Sequence, residues 1–421
     1  MIGFTQGCYK RNFFFFLGAF LMFLQFSVEA QTLPSSRSTD WTKAGIRVPP
    51  PVYTDTITFA GDNTGATDVS ASLQTTLDNL TQPTVIQFPA GTYLFNSSIN
   101  VPSEVVIKGL GADVTTFNFD LGGAASSCFN IVGSSTAGGG FRDISPVSFG
   151  DTLITVSDAA QTAAGEYIIL RQIDDDLRTN GDVNGRTGQV SLVSSVNGND
   201  IILASAVSLD YEAIDDPEYR RLNALTQHVG FECFTVNRSD QIAGTPINFS
   251  KFRFEYAANS WLKGIRSTNC NGSHVDARFS ANLLVTSCYF EDAFNFEGGL
   301  AYGVRLLYAT SECRIENSIF RRLRHSMVTY KGANGNVFAY NYSYDTYKTE
   351  FGGFFSTTNV EDIFVHGDYS YLNLFEGNVC NWIKIDNSLG KSGPFNTFLR
   401  NYVTNSSNDI DITNADSDNQ N

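Results

Sequence analysis

The chain has 421 residues and a formal net charge of −15 at pH 7. Such a length supports a large core in one or two domains. The acidic balance argues against a nucleic-acid partner, because nucleic-acid binders usually carry a basic footprint. Seven cysteines without a single Cys-x-x-Cys pair offer no metal-ligand pattern.

At the N-terminus Lys10 and Arg11 precede an apolar run from Phe13 to Phe26, and Val28-Glu29-Ala30 supplies a small-residue cleavage site. Residues 1–30 read as a secretory signal; the apolar run is short for a membrane span, and no second one follows. The mature chain is therefore expected outside the cytoplasm (secreted, periplasmic or cell-surface) with no transmembrane segment. Loss of Lys10, Arg11 and Glu29 takes its charge to −16 and leaves six cysteines. Export permits disulfides, but a chain this large does not need them. Cys288 and Cys313 are expected as small buried thiols. Sequons at Asn79, Asn96, Asn237, Asn248, Asn271, Asn341 and Asn405 arise easily in a chain this rich in Asn, Ser and Thr.

Residues 31–52 form a polar, Pro-rich lead-in. Phe59-Ala-Gly-Asp-Asn-Thr-Gly-Ala-Thr-Asp68 is a turn-rich loop in which Thr67 or Asp68 is placed to cap a helix. Leu73, Leu77 and Leu80 then recur at helical spacing. Val85-Ile86-Gln87-Phe88 reads as a strand closed by Pro89-Ala-Gly91-Thr-Tyr93, and Val105-Val106-Ile107 as another ending at Gly109-Leu-Gly111. The stretch of about 57–120 resembles the N-terminal signature of the pectate-lyase-like superfamily of right-handed parallel β-helix proteins. In that signature a Gly-Asp-Gly-x-x-Asp-Asp-type loop leads into a capping helix and a strand closed by Pro-x-Gly-x-Tyr. Val69 stands where the second loop carboxylate is usual, so no role is carried over for that group. The resemblance implies a fold shared by lyases, hydrolases, epimerases and phage spikes, and function must be argued from the site.

Residues 53–146 are thus expected to form N-terminal coils with a capping helix. Residues 147–210, with short strands between Gly, Asn and Asp turns and no coil period, read as an inserted small β module. Inside it Asn180-Gly-Asp182-Val-Asn184-Gly185 partly matches a calcium loop but lacks the closing Glu, which favours a solvated turn and leaves calcium as a possible cofactor without a complete motif. Residues 211–404 carry the repeat itself: Leu283-x-Val285-x-x-Cys288, Cys313-x-Ile315-x-x-Ser318, Asn336-x-Phe338-x-x-Asn341, Asn373-x-Phe375-x-x-Asn378 and Asn396-x-Phe398-x-x-Asn401. Their last columns lie 30, 23, 37 and 23 residues apart, the periodicity of a solenoid. Alternating apolar residues followed by Asn suit a short strand ending in a tight turn, with Asn taking the left-handed conformation. The expected fold is all-β, a right-handed parallel β-helix, with residues 405–421 as a polar acidic tail.

Each ladder motif is preceded by a second strand: His274-Val-Asp-Ala-Arg278, Gly303-Val-Arg-Leu306, Met327-Val-Thr-Tyr-Lys331, Ile363-Phe-Val-His366 and Trp382-Ile-Lys-Ile-Asp386. Turning the aliphatic residues inward places His274, Asp276, Arg278, Arg305, Phe364, His366, Trp382, Lys384 and Asp386 on the outer face. Lys331 joins them if Val328 and Tyr330 point inward. Three of the four histidines fall between residues 274 and 401, a window with 11 Lys/Arg and 13 Asp/Glu, far closer to neutral than the rest of the chain. Such a face can hold an anionic polymer, although outward strand residues are also polar simply because they meet water. Two long inter-repeat loops flank it, one containing Glu297 and the other Tyr342, Tyr344, Tyr347, Phe351, Phe354 and Phe355. The Arg321-Arg-Leu-Arg324-His325 cluster can clamp carboxylates or sulfates.

Two chemistries compete. β-Elimination from a uronate needs the C5 carboxylate neutralised and the C5 proton abstracted; Lys331, His366 and His325 are the acid–base candidates, with Arg305 and Arg324 on the carboxylate. Arg278, Lys384, Asp276, Trp382, Tyr347, Glu297 and Asp386 are the candidate substrate-binding residues. Glycoside hydrolysis needs two carboxylates at a defined separation; Asp276, Glu297 and Asp386 are available, without the clustered Asp pairs of β-helix polygalacturonases. Elimination from an anionic polysaccharide is the preferred reading. A non-catalytic carbohydrate-binding or adhesin-like surface would use the same aromatics and cations.

Overall fold

Successive coils contribute short strands to three parallel sheets, which together enclose a single apolar core. In the computed structural model the described residues are 38–136, 138–174, 187–244, 246–350, 355–357, 360–405 and 410–412. The expected signal, the 180–185 turn, Phe351, Phe354 and most of the acidic tail lie outside them. The first sheet has ten strands, from Asp55–Thr58 to Thr397–Leu399, and includes the repeat motifs: Leu284–Thr286, Arg314–Glu316, Val337–Ala339 and Leu374–Glu376. The second also has ten strands, ending at Tyr402–Val403, and the third has nine, ending at Ile410–Ile412. That last strand falls in the stretch expected as tail, and its Ile410 and Ile412 pair with Ile383 and Ile385.

The corner between the first and second sheets shows why the repeat reads as it does. The left-handed residue in each coil is not the Asn, as expected, but the residue before it: Ser287, Asn317, Tyr340, Gly377 and Arg400 all have positive φ. The Asn that follows turns inward. Asn378 Oδ1 accepts from both Asn341 N and Asn341 Nδ2 at 3.0 Å, and Asn401 Oδ1 accepts from Asn378 N and Nδ2 at 3.0 and 2.9 Å. The motif's first column forms a parallel ladder through Asn336, Asn373 and Asn396. Between the two ladders Phe338, Phe375 and Phe398 stack with centroids 5.2 and 5.0 Å apart. Amide and ring repeat together because neighbouring strands keep one register.

The helix expected after the N-terminal loop is Ser70–Asp78, with Leu73 and Leu77 buried in the core. Its N-cap position is Val69 rather than Thr67 or Asp68, while Asp68 Oδ1 still accepts from Ser70 N at 2.9 Å. Thr64–Asp68, expected as loop, pairs as a strand of the second sheet. The inserted module is a six-stranded antiparallel sheet that also recruits Arg142–Asp143 and Glu218–Arg221, outside the expected 147–210. It is stitched to the coils where Tyr371 Oη and Asn334 Nδ2 donate to Gly188 O at 2.9 and 2.7 Å. The lead-in is pinned at the same side, Trp41 Nε1 donating to Leu372 O at 2.7 Å. The 37-residue spacing accommodates a hairpin of Lys348–Glu350 and Phe355–Thr357. All six cysteines among the described residues are free thiols, and Cys288 and Cys313 are buried. The sequon residue Asn341 is buried in the ladder.

Replacing a central ladder amide leaves buried backbone groups of two coils unpaired. Asn378→Leu is expected to lower unfolding free energy by about 2–4 kcal/mol, the cost of orphaning buried donors and acceptors. A urea midpoint unchanged from the parent would contradict that role.

Candidate functional site

The outer face of the third sheet carries most of the expected side chains, and its register fixes which ones meet. Asp276 pairs with Arg305, Arg305 with Val328, Val328 with Phe364 and Phe364 with Lys384. Val328 therefore points outward, not inward. It is buried beneath Tyr302 and Phe364, with Tyr330 packed against them. Lys331 consequently lies past the end of its strand, at a left-handed turn residue with φ 52°, rather than on the strand face. Its Nζ sits 4.8 Å from the Tyr330 ring centroid, 5.2 Å from that of Tyr308 and 4.0 Å from Asp368 Oδ2.

Across the Tyr330 ring lies His366, with centroids 5.5 Å apart. His366 Nδ1 is 3.0 Å from Asp386 Oδ1, and Asp386 Oδ2 accepts from Ser388 Oγ at 2.8 Å. The carboxylate favours the tautomer with the proton on Nδ1, which leaves Nε2 as the acceptor nitrogen. Burial raises the Asp386 carboxyl, but the His366 contact, Ser388 and Lys384 outweigh it and hold the group below the usual carboxylate range. The Phe364 ring packs on His366 at 4.2 Å. Lys331, Tyr330, His366 and Asp386 are thus brought together at the edge where the third sheet leaves for the first. Sequence alternation missed Tyr330 as an outer-face residue; matching Met327, rather than Val328, to the inward Val304 and Ile363 would have found it.

The other candidates are placed differently. Asp276 is buried between two arginines, accepting from Arg278 Nε at 2.7 Å and Arg305 Nε at 2.9 Å, and Arg305 Nη2 donates to Ile247 O at 2.6 Å. Burial pushes this carboxyl up, yet Arg305 and Arg278 keep it ionised below its ordinary range. His325 is buried between the rings of Tyr302 and Phe364. Its Nδ1 donates to Glu361 O at 2.6 Å and its Nε2 accepts from Arg324 Nε at 3.2 Å, so both nitrogens are engaged. Burial, with the Arg324 charge, drives its pKa well below the ordinary histidine value. At the entry edge of the sheet Lys384 Nζ lies 5.5 Å from the Trp382 ring and 3.9 Å from Glu361. Tyr347 packs edge-on against Phe296 at 4.9 Å beneath Arg322, and half-buried Glu297 sits in the adjoining loop. These two lie at the entry corner, across the strand from Lys331 and His366. Among the described residues no group of three His, Cys, Asp or Glu side chains is arranged to hold a metal ion.

His274, expected outward, is fully buried inside the coils. Its Nδ1 lies 2.7 Å from Ser267 Oγ and its Nε2 3.2 Å from Asp292 O. Lys251 is buried in the preceding coil, donating to the carbonyls of Val236 and Thr268, and burial lowers it to about 8. Where these strands enter the third sheet they shift phase, so Lys251 pairs with neither Phe129 nor Val275 and turns inward with His274. The same inner edge holds Asp362, whose carboxylate accepts from Asn381 N at 2.8 Å and Trp382 N at 2.8 Å.

Two family descriptions match the chain. Residues 54–141 match "Rhamnogalacturonase A/epimerase, pectate lyase-like" and residues 233–367 match "Right handed beta helix region". With the three parallel sheets, these show a right-handed parallel β-helix whose N-terminal coils are similar to the pectate-lyase-like rhamnogalacturonase A/epimerase description. Among solved structures, the tailspike protein of Pseudomonas phage LKA1 superposes with a TM-score of 0.59 at 17 % identity, covering 80 % of this chain and 53 % of that one. The tailspike of Pseudomonas phage phi297 gives 0.58 at 12 % identity, covering 83 % and 60 %. The chain therefore spans little more than half the length of these structures, and at such identities the likeness concerns fold alone. No curated protein sequence matches the chain at a significant level.

Burial raises the Asp362 carboxyl to about 6, against the hydrogen bonds it accepts. A raised carboxyl binds its proton more tightly in the folded state. Stability should then fall as pH rises from about 4 to about 6, by roughly 2–3 kcal/mol. Asp362→Asn keeps the acceptor oxygen and should flatten that slope. Urea titrations of both proteins across this window check it, and parallel slopes would refute it.

Proposed function

We propose that this is an exported polysaccharide lyase that cleaves an anionic, uronate-containing polysaccharide by β-elimination on the outer face of the third sheet. The observation that carries the reading is the Asp386–His366 pair set against Tyr330 and Lys331. Asp386 orients the imidazole, and His366 Nε2 takes the C5 proton as general base; the C4–C5 double bond forms as the C4–O glycosidic bond breaks, and the departing oxygen takes a proton from water. Lys331, cradled by Tyr308 and Tyr330, meets the uronate carboxylate and stabilises the charge that develops beside C5. Lys384 and Trp382 serve the neighbouring sugar, one by charge and the other by its ring face. Arg305 and Arg278 act through Asp276, as an ion cluster that holds the sheet face in shape, and Arg324 holds His325 in place.

Hydrolysis of the polygalacturonase type receives less support, because it requires one carboxyl to stay protonated as a general acid. Both Asp276 and Asp386 are held below the ordinary range by cationic neighbours. The family description naming rhamnogalacturonase A and an epimerase supports a pectin-like polymer as the partner class. The signal-like residues 1–30 support export.

Incubation with polygalacturonate, rhamnogalacturonan and alginate should give unsaturated products that absorb in the ultraviolet. His366→Ala is expected to lower the rate by about 10²–10⁴-fold, the usual contribution of a general base. Asp386→Asn should lower it by about 10–100-fold, as loss of an orienting partner does. Lys331→Ala should reduce turnover more than affinity. Saturated reducing ends would transfer the reading to hydrolysis. Tight binding without any turnover would transfer it to a carbohydrate-binding surface protein.

A further inference from the structure

A second surface, on a different sheet, has the makings of a ligand site. On the outer face of the second sheet one row runs in register through Arg266, Tyr289, Ile319, Tyr342, Val379 and Tyr402. Parallel neighbours lie about 4.8 Å apart, so Tyr342 and Tyr402, two coils apart, are separated by roughly 10 Å along the helix axis. Tyr342 is 46 % exposed and Tyr402 67 %, and Tyr340, at the adjoining corner, is 57 % exposed. The Tyr340 ring lies against Gly377, where a Cβ would come within 2.7 Å of a ring carbon. Tyr342 stacks on Tyr344 with centroids 5.1 Å apart and planes 15° from parallel. The strip runs into a groove of about 450 Å³ at the same corner, lined among others by Asp113, Arg266, Tyr289 and Asn317.

Charge on this face is internally balanced. Glu291 pairs with Arg266 at 2.6 Å and with Arg321 at 3.5 Å, and Arg321 reaches Asp345 at 3.5 Å. Among the described residues of this face each of these arginines has a carboxylate partner, so nothing there favours a polyanion. The exposed groups are tyrosine rings rather than aliphatic side chains, and each ring offers an apolar face and a hydroxyl that must stay hydrogen-bonded. One ring per coil or two matches a chain of pyranoses lying along the axis, with apolar sugar faces on the rings and hydroxyls on Asn317, Asp113 and the phenols.

We propose that the tyrosine strip of the second sheet is a separate, non-catalytic binding surface for an uncharged polysaccharide. It holds the protein on a matrix in which the third sheet's substrate is embedded, but it stands independently of that reaction. The full chain is run through native gels containing galactan, glucomannan or xyloglucan, with polygalacturonate as the anionic control. Retardation is expected in at least one neutral gel, and Tyr340→Ala/Tyr402→Ala should weaken it about tenfold, as loss of two stacking rings predicts. Lys331→Ala should leave that retardation intact, which separates this surface from the third sheet. Both replaced rings are largely exposed, so thermal melting serves as the folding control. Free migration of the parent protein in every neutral gel overturns the proposal, as does equal retardation of parent and double variant. A sedimentation coefficient that falls in the double variant, without neutral-glycan retardation, also overturns it and assigns the strip to self-association.

Discussion

The structure depends on one constraint: every amide buried at a coil corner must find its partner in the coil above or below. A left-handed residue turns the chain at each corner and leaves the next residue pointing into the interior, where water cannot reach. Asn is well suited to that place, since its side chain offers both an acceptor for the neighbouring backbone N–H and a donor for a carbonyl. The two ladders through Asn336, Asn373 and Asn396 and through Asn341, Asn378 and Asn401 lock the register of the first sheet. Because all three sheets share the same coils, that register also decides which side chains face each other on the third.

The consequence for chemistry is direct. His366 meets Asp386 because their strands pair residue for residue. Tyr330 and Lys331 reach the same place because the preceding strand ends early and turns through a left-handed residue. The lower part of the same face is occupied differently, by a buried carboxylate between two guanidiniums. Breaking such a cluster by removing one partner is costly, whereas the intact cluster adds little net stability. It is better understood as a fixed floor than as a set of free binding groups. The second sheet, with balanced ion pairs and exposed phenols, is chemically distinct from both regions.

Much of the fold was legible in the chain. The Asn-x-Phe-x-x-Asn repeat contains the corner, the core ring and the period, and Phe338, Phe375 and Phe398 stack as that spacing requires. Asp276, Arg305, Phe364 and Lys384 lie on the outer face as strand alternation implied. Alternation failed at the entry to the third sheet, where phase shifts turn His274 and Lys251 inward, and again at Val328, where Ser326-Met-Val-Thr-Tyr330 fits either phase equally well. An apolar run without strict alternation carries no sign of which residue is inside; the neighbouring coil supplies it.

Local pattern thus determined the solenoid, its period and the sheet that would carry charged and aromatic residues, because those follow from hydrogen-bonding groups and side-chain volumes repeated along one chain. Tertiary structure alone decided which titratable groups meet. The His366–Asp386 pair joins residues 20 apart in sequence, the Asp276–Arg305 pair residues 29 apart, and His325 Nδ1 meets the Glu361 carbonyl 36 residues on. Burial and charge at each of these positions depend on the adjacent coils, and no single strand contains that information.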